Sequence, residues 1–284
     1  NFYQKTVGSK ASTPIEVVDM GLRGFTRKIG ILKDYNANFQ CGQCHNAANR
    51  YLTYKWLKDD KPVRPEDLQK AGVSPYATEF FKDPLESWAW FKAKGWHQGV
   101  NGTTGVHYVN GSDHPHVEIM LQSKHGQAGV TCTDCHFARK ADGKAEHQPS
   151  LVKLKVENTC MRSACHGPGS KSNWTDPGQA LYTIEAIQQE YRIRVQKMEM
   201  AAKDAQRIFM KLKAGEASLP QEVKEKLETA YEKYLSARDW YLTDLSSGFH
   251  DPEGFNRTVS VVTWELRKTN AAAQGALKKT PVKQ

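Results

Sequence analysis

Hydrophobic side chains recur with a clear period only in the last third of the chain. Between residues 176 and 212 they return every three or four positions, which predicts one long amphipathic helix. Asp176 followed by Pro177 is typical of a helix start, and Gly215 is typical of a helix end. The stripe consists of Ile184, Ile187, Tyr191, Val195, Met198, Ala202, Ala205, Phe209 and Leu212.

Two more helices are predicted after this one. Ser218-Leu-Pro-Gln221 resembles a capping box before a second helix, and Asp251 with Pro252 predicts the start of a third helix that runs to about Ala273. The second stripe consists of Val223, Leu227, Tyr231, Tyr234, Tyr241 and Leu245.

Residues 1–175 show no comparable period, and strand patterns are scarce there. Glycine and asparagine cluster between Gly99 and Gly111, which predicts a loop. We therefore predict a mostly α fold with two regions: residues 1–175, with little regular structure, and residues 176–284, with long helices. Periodicity alone leaves open whether those helices pair within the chain or with a second subunit.

Composition indicates a globular chain without a membrane span. Hydrophobic residues make up 39% and charged residues 25%, the mean hydropathy is −0.67, and no run of 18 apolar residues occurs. The start, Asn1-Phe-Tyr-Gln-Lys5, is not an intact signal peptide, so we expect a processed chain or a fragment. The net charge of +9 alone suggests a nucleic-acid or membrane-surface partner.

All six cysteines fall into three pairs, and a histidine directly follows each pair. The first site is Cys41-Gly-Gln-Cys44-His45, the second is Cys132-Thr-Asp-Cys135-His136, and the third is Cys160-Met-Arg-Ser-Ala-Cys165-His166. The C-x-x-C-H string is the attachment signature of c-type haem. Two thiols bind the vinyl groups of one porphyrin as thioethers, and the histidine ligates the iron. The sequence therefore predicts three covalently attached haems c, with a bulged loop at the third site.

Other uses of cysteine fit this spacing poorly. A zinc ribbon needs two C-x-x-C pairs about 15–20 residues apart, whereas 87 residues separate Cys44 from Cys132. Disulfides would not require a histidine after every pair, and a thioredoxin-type motif needs a βαβ setting that the pattern does not predict.

Haem also changes the interpretation of charge. Propionates on three haems add about −6, which brings the net charge to about +3, so we expect no nucleic-acid partner. Thioether attachment implies assembly in a periplasmic or equivalent extracytoplasmic space. We expect the aromatic side chains of residues 46–110 to pack in a core around porphyrin; they include Tyr51, Tyr54, Trp56, Tyr76, Trp88, Trp90 and Trp96.

Seven histidines remain once the three proximal ones are set aside. A haem with two histidine ligands is closed and serves electron transfer, whereas catalysis requires an open iron position. We expect about half of the seven to be haem ligands. They are His97, His107, His114, His116, His125, His147 and His250.

Several strings resemble the C-terminal half of the ammonia-forming pentahaem cytochrome c nitrite reductases. His125 lies eleven positions after His114, and His136 lies eleven positions after His125, as the resemblance requires. The resembling part runs roughly from Gly21 to Arg267. The strings are His114-Pro-His-Val-Glu118, Ser123-Lys-His-Gly126, Gly129-Val-Thr-Cys132, Arg238-Asp-Trp240 and Gly248-Phe-His-Asp-Pro252.

The resemblance implies roles for individual residues. His114 would lie on the distal side of the catalytic haem as a proton or hydrogen-bond donor to nitrogen oxides, and Asp113 would assist it. His125 would be the second ligand of the third haem, and His250 that of the second haem. His147 would ligate a haem that this chain does not contain. The first haem would take its second ligand from outside this sequence.

Some positions depart from the family pattern. The pentahaem enzymes have a calcium-binding Glu and a catalytic Tyr where this chain has Ala47 and Ala48, and their calcium-site Lys and Gln correspond to Gly111 and Asp113. We therefore expect no calcium. In the family the catalytic haem lies upstream, so we expect a missing N-terminal region or a partner chain to carry it. A cytochrome or quinol dehydrogenase would be the redox partner, and the long helices would mediate oligomerisation.

Three functions remain open at this point. The first is the electron-relay and distal-pocket half of a nitrite- or hydroxylamine-converting oxidoreductase, because Asp113-His114 also resembles the active-site segment of octahaem hydroxylamine oxidoreductase. The second is a non-catalytic trihaem electron-transfer cytochrome, which Ala47 and Ala48 favour. The third is a fragment of an octahaem reductase of sulfite or another oxyanion.

The number of haems can be measured directly on the denatured chain. We expect its mass to exceed the 32.0 kDa of the polypeptide by three haem equivalents, because thioether bonds survive unfolding. A colourless protein with titratable thiols or bound zinc would contradict the assignment of all nine Cys and His residues of the three sites.

Overall fold

A computed structural model describes residues 15–22, 25–32, 37–42, 45, 56–64, 81–110, 112, 114–137, 143–144 and 149–279. Its first element is an antiparallel hairpin of β1 (Ile15–Leu22) and β2 (Phe25–Leu32). This hairpin was not predicted from the sequence. Its signal is two runs rich in apolar and β-branched residues that are separated by Arg23-Gly24.

Short elements fill the middle of the chain. They are α1 (Ala37–Gly42), β3 (Leu57–Lys58), β4 (Lys61–Pro62), α2 (Pro84–Ala93), β5 (Trp96–His97), β6 (Gly99–Val100), β7 (His107–Tyr108), α3 (His116–Gln122), α4 (Lys124–Gln127), α5 (Cys132–His136) and a 3₁₀ helix (Pro149–Lys155). Strand β3 pairs with β4 and with β5, and β6 pairs with β7. Part of the loop predicted between residues 99 and 111 is therefore a small hairpin.

Three long helices complete the described chain: α6 (Pro177–Lys213), α7 (Gln221–Leu242) and α8 (Pro252–Lys279). The predicted start of α6 is confirmed, because the Gly178 amide donates to Asp176 Oδ1 at 2.7 Å. Its predicted end is also confirmed by Gly215, whose φ of +72° suits glycine. The mostly α fold class is therefore correct.

Two details of the helix predictions were wrong. Ser218 does not form a capping box, since Pro220 is the N-cap of α7 and no side chain caps that end. Leu245 is not part of the stripe of α7; the helix ends at Leu242, and Leu245 is 82% exposed in the loop that follows. Helix α8 also extends to Lys279, beyond the predicted end at Ala273.

The hydrophobic core joins the long helices to the aromatic segment. Helix α8 packs along both α6 and α7, and their contact buries Tyr231, Trp240 and Leu266. Trp56 stacks on Phe91 of α2 at 4.2 Å, and both belong to the same core.

The predicted aromatic cluster therefore packs against protein. Trp56 and Trp96 are buried, and Trp88 and Trp90 are partly buried against the same core, whereas Tyr51, Tyr54 and Tyr76 lie outside the described residues. This core draws side chains from both sides of residue 175, and the division into two regions stays a prediction. None of the described helices is long and apolar enough to cross a membrane.

A buried carboxylate connects α2 to α7. Lys92 Nζ donates to both oxygens of Glu232, at 2.6 and 2.8 Å, and Trp88 Nε1 donates to one of them at 3.3 Å. The side chain of Glu232 is only 4% exposed. The charge of Glu232 would therefore lose its main compensation if Lys92 were replaced.

We expect Lys92→Met to lower the free energy of unfolding by about 1–3 kcal/mol, because it leaves a buried carboxylate without its charged donor. Lys224→Met is a matched control: Lys224 is 44% exposed, close to the 46% of Lys92, but its partner Glu228 is 35% exposed. The control should cost less than about 0.5 kcal/mol. Equal losses in denaturant unfolding would contradict the assigned role of Glu232.

Candidate haem-binding site

The three Cys–His motifs meet around α5. Cys41 lies on α1 and Cys132 begins α5; their thiols contact each other, and the amide of Cys132 donates to Asn38 Oδ1 at 2.7 Å. Arg162, between the cysteines of the third site, lies 3.3 Å from Asp134 of α5. The structure thus brings all three sites together, although Cys44 lies outside the described residues.

A backbone hydrogen bond closes the first and third sites in the same way. The amide of His45 donates to the carbonyl of Cys41 at 2.8 Å, and the amide of His166 donates to the carbonyl of Cys160 at 3.0 Å. The two extra residues of the third site are accommodated in turns between Cys160 and His166, where the sequence predicted a bulge. The backbone of the histidine therefore lies next to that of the first cysteine at both sites, although the third site has two more residues between its cysteines.

The described cysteines are free, half-buried thiols. Burial raises the pKa of Cys135 to about 11, and burial together with the Cys41 thiol raises the pKa of Cys132 to about 12. Burial also raises the pKa of Cys160. These thiols therefore stay protonated at neutral pH, unlike the exposed low-pKa thiolates of redox motifs.

Two pairs of histidines lie at a spacing that suits haem iron. With metal–imidazole bonds of about 2.0–2.1 Å, two rings on opposite sides of one iron have centroids roughly 6 Å apart. The rings of His125 and His166 lie 6.0 Å apart, and those of His136 and His250 lie 6.2 Å apart. The family resemblance implied the same two pairs as axial ligands, and that assignment stays a prediction; the rings of His116 and His250, 5.7 Å apart, have a similar spacing.

The loop after α7 is organised around the carboxylate of Asp244, which is 2% exposed. Its oxygens accept hydrogen bonds from the amide and hydroxyl of Ser246 and from the amide of Gly248, and one oxygen lies 2.9 Å from Nδ1 of His250. Burial works to raise the pKa of Asp244, but these partners, led by His250, hold it below its ordinary value. The bond to Nδ1 leaves Nε2 of His250 available as a ligand.

Asp244 was not predicted as a site residue. Its only local signal is an acidic residue directly after the last turn of a helix and six positions before a candidate ligand. Nothing in the periodicity distinguishes it from a solvated loop residue.

Histidine–glycine pairs hold the ligands of the third site. Gly126 follows His125 and Gly167 follows His166; a Cβ at either glycine would lie about 2 Å from a backbone carbonyl, 2.0 Å from Met120 O and 1.9 Å from Met161 O. The chain can therefore turn tightly only with glycine there. The ring of His166 stacks on Trp174 at 4.5 Å, and its Nδ1 lies 2.9 Å from Ser172 Oγ.

His45 of the first site faces two other histidines. The amide of Val117 donates to the carbonyl of His45 at 3.1 Å, which fixes the start of α3 against the first site. His114 and His116 lie 5.5 and 5.1 Å from the His45 ring, and His116 Nδ1 is 3.3 Å from His45 Nδ1. Both histidines thus lie beside the first site, and the expectation that its second ligand comes from outside this sequence stays a prediction.

His116 is the second residue that the sequence analysis left without a role. Its ring also lies 5.7 Å from His250. Burial, followed by the neighbouring His250, lowers the pKa of His116 to about 4. Asp113 and His147, both predicted site residues, lie outside the described part of the chain.

These observations fit covalently bound haem. Buried thiols stand beside imidazoles, two imidazole pairs have the spacing of axial ligands, and Trp174 and Phe249 supply aromatic surface next to His166 and His125. A neutral imidazole is the form that binds metal, and burial lowers the pKa of His125 as it does that of His116.

Comparisons with known proteins agree with this site. Residues 36–284 match the sequence profile of the cytochrome c552 family. Cytochrome c-552 of Bacteroides thetaiotaomicron is 28% identical over 138 residues, which cover 44% of this chain and 22% of that protein. The cytochrome c nitrite reductase subunit NrfA of Nitratidesulfovibrio vulgaris is 23% identical over 223 residues, which cover 75% of this chain and 40% of that subunit.

A solved structure shares the fold. The catalytic subunit of cytochrome c nitrite reductase from Desulfovibrio desulfuricans, described with two calcium sites, superposes with a TM-score of 0.61 at 18% identity. The match covers 87% of this chain and 50% of that subunit. The chain thus spans half or less of the length of these relatives.

The low pKa of His116 predicts a dependence of stability on acid. The folded protein holds this imidazole neutral, whereas the unfolded chain binds a proton below pH 6.5. The contribution of the neutral His116 imidazole to the free energy of unfolding is therefore complete above pH 6.5, and it is lost as the pH falls toward 4. Over that interval the free energy of unfolding should fall by as much as about 3 kcal/mol more for the wild type than for His116→Gln. Parallel curves for the two proteins in denaturant unfolding would contradict this environment for His116.

Proposed function

The chain belongs to the cytochrome c552 family, and on that premise we propose that it is the electron-relay and distal-pocket half of a nitrite- or hydroxylamine-converting oxidoreductase. It is a multihaem cytochrome of the nitrite reductase type. The observation that supports its relay role most strongly is the pair of histidine–histidine spacings, 6.0 and 6.2 Å, beside two of the Cys–His motifs.

Each Cys–His motif would hold one haem. The thiols of Cys41 and Cys44, of Cys132 and Cys135, and of Cys160 and Cys165 would form the thioethers. His45, His136 and His166 would be the proximal ligands. Bound haem would supply reversible one-electron transfer at iron.

The protein side chains would fix the second ligands. His250 would complete the second site with Nε2, because Asp244 engages its Nδ1. His125 would complete the third site, and Ser123, whose hydroxyl accepts from the Gly126 amide at 3.0 Å, holds the short helix that carries it. Both sites would then be closed to substrate and serve as relays. His147 would ligate a haem that is carried by another segment.

His114 is the candidate that would act on substrate. It lies next to the first site. The Thr243 hydroxyl, at the start of the loop that leads to His250, lies 2.7 Å from the carbonyl oxygen of Asp239 and 3.1 Å from that of Ser112, two residues before His114. This contact brings the His114 segment next to the loop that carries a relay ligand. His114 would donate a proton from an imidazole nitrogen to a bound nitrogen oxide, with Asp113 assisting.

A complete enzyme would need further parts. We propose that a catalytic haem resides on another segment or a partner chain, that a cytochrome or quinol dehydrogenase supplies or accepts electrons, and that the long helices join subunits. The assembly would lie in the periplasm or an equivalent space. The structural neighbour is described with two calcium sites; because Ala47, Gly111 and Asp113 stand where that family has its calcium-site Glu, Lys and Gln, we propose no calcium at those positions.

Ala47 and Ala48 favour one other function, a trihaem electron-transfer cytochrome without a catalytic pocket. The two functions share the relay and differ only in what His114 does. The same set of variants can therefore distinguish them.

Three histidine variants of the haem-loaded protein, purified with whatever subunit accompanies it, test the proposal. His125→Ala and His250→Ala should each convert one low-spin haem to high spin in electron paramagnetic resonance, because each removes one axial ligand. His114→Ala should keep the low-spin count and the haem content, but lower nitrite- or hydroxylamine-dependent turnover by about 10²-fold or more, the usual effect of losing a general acid.

The three variants serve as controls for one another. If His125→Ala and His250→Ala leave every haem low spin, the relay assignment is wrong. Turnover by His114→Ala equal to that of the wild type would remove His114 from a catalytic pocket and support the electron-transfer cytochrome.

A further inference from the structure

Three side chains outside the haem motifs converge on the strands of the aromatic segment. Asp60 lies in the turn between β3 and β4, His97 on β5, and His107 on β7. One potential ligand atom from each lies within 4.8 Å of the others. Their positions follow from strand pairing, because Leu57 of β3 faces His97, and Val100 of β6 faces His107.

His97 is the unusual member of this group. It is 6% exposed, yet its Nδ1 is buried without a hydrogen-bond partner in the described part of the chain. Its ring is nearly parallel to that of His107, with centroids 4.3 Å apart and an interplanar angle of 13°. Its Nε2 lies 3.8 Å from Asp60 Oδ1. Nε2 is therefore the nitrogen through which His97 would bind an ion that it shares with Asp60.

We propose that Asp60, His97 and His107 form a binding site for a divalent transition-metal ion of the zinc class, with water as the fourth ligand. Two imidazoles and one carboxylate are the donor set that such ions prefer, whereas calcium and magnesium take mainly oxygen ligands. The site is separate in sequence and in secondary structure from the three Cys–His motifs, and it requires no haem chemistry.

The geometry needs only a small adjustment to hold an ion. Ligand atoms around tetrahedral zinc, with bonds of about 2.0–2.1 Å, are roughly 3.3 Å apart. The distances here are at most 4.8 Å. The Asp60 side chain is 83% exposed and free to rotate, and His107 is exposed. His97, the buried ligand, would stay in place.

The buried ligand also has the protonation state that a metal requires. Burial, followed by the neighbouring His107, lowers the pKa of His97, against the opposing effects of the Gly99 backbone and Asp60. The neutral imidazole is therefore favoured at neutral pH. An ion bound there would connect the β3–β4 turn to the β6–β7 hairpin, two short elements of two residues per strand.

Zinc titration of the haem-loaded protein tests this site. After removal of adventitious metal with a chelator, we expect equilibrium dialysis followed by elemental analysis to give one zinc per chain. Haem iron provides the measure of chain concentration. His107→Ala and Asp60→Asn should weaken zinc binding at least tenfold, since each removes one of three protein ligands.

Asp59→Asn is the matched control. Asp59 and Asp60 both adopt positive φ, +50° and +57°, and asparagine tolerates that conformation. Asp59 is not part of the candidate site. The charge of Asp59 also acts on His97, but Asp59 offers no ligand atom, so its replacement should weaken zinc binding far less than Asp60→Asn does. The haem spectra of all three variants should match that of the wild type.

The exposed His107 is preferred as a target because His97→Ala would empty a buried position and could prevent folding. The proposal is overturned if the wild type binds no zinc, if His107→Ala and Asp60→Asn bind it as the wild type does, or if His107→Ala changes a low-spin haem. The last outcome would make His107 a haem ligand. None of these results depends on nitrite turnover.

Discussion

The fixed distance between paired imidazoles is the constraint on which the rest of this structure depends. Rings about 6 Å apart suit the two faces of one iron, and each pair here joins segments that are far apart in sequence: His136 with His250, and His125 with His166. The elements that carry these rings are very short; α4 has four residues and α5 has five. Helices of that length have little stability of their own, so other contacts must hold the rings in register.

The long helices supply those contacts without contributing a described ligand. Trp240, Tyr231 and Leu266 give the bundle of α6, α7 and α8 a conventional apolar core. The loop between α7 and α8 follows directly from that core. Asp244 is buried in this loop, and its carboxylate forms a hydrogen bond with Nδ1 of His250. The packed bundle thus helps to hold Asp244 and His250 in place. They lie beside the region of the Cys–His motifs, whose centre would be filled by haem and not by side chains.

The sequence predicts the parts whose signal is local. The stripe from Ile184 to Leu212 and the Asp176-Pro177 start predict α6 because one helix face and one cap determine them. The Cys–His strings predict haem because spacing within a few residues reflects the chemistry. Leu245 was misplaced because the apolar period continues past the last helical turn, although the residue lies in an exposed loop.

Residues whose role depends on distant partners could not be found this way. His116 acquires its environment from His45 and His250, which are distant in sequence, and His97 meets His107 only once β3, β5, β6 and β7 have paired. The partners of Asp244 lie within six residues of it, but no periodic pattern marks the loop that they form. The β1–β2 hairpin has a local sequence signal, two apolar and β-branched runs separated by Arg23-Gly24, but it contains none of the candidate site residues. Long-range pairing, rather than composition, separates the predicted features from the missed ones.

The ring closed by the His166 amide and the Cys160 carbonyl has a consequence for how such cytochromes are recognised. The same closure occurs at His45 and Cys41 with two fewer residues between the cysteines. At both spacings the peptide returns to its starting carbonyl, and the two extra residues are accommodated inside the loop. A sequence search that requires a fixed two-residue gap would therefore miss the Cys160–His166 string of this chain.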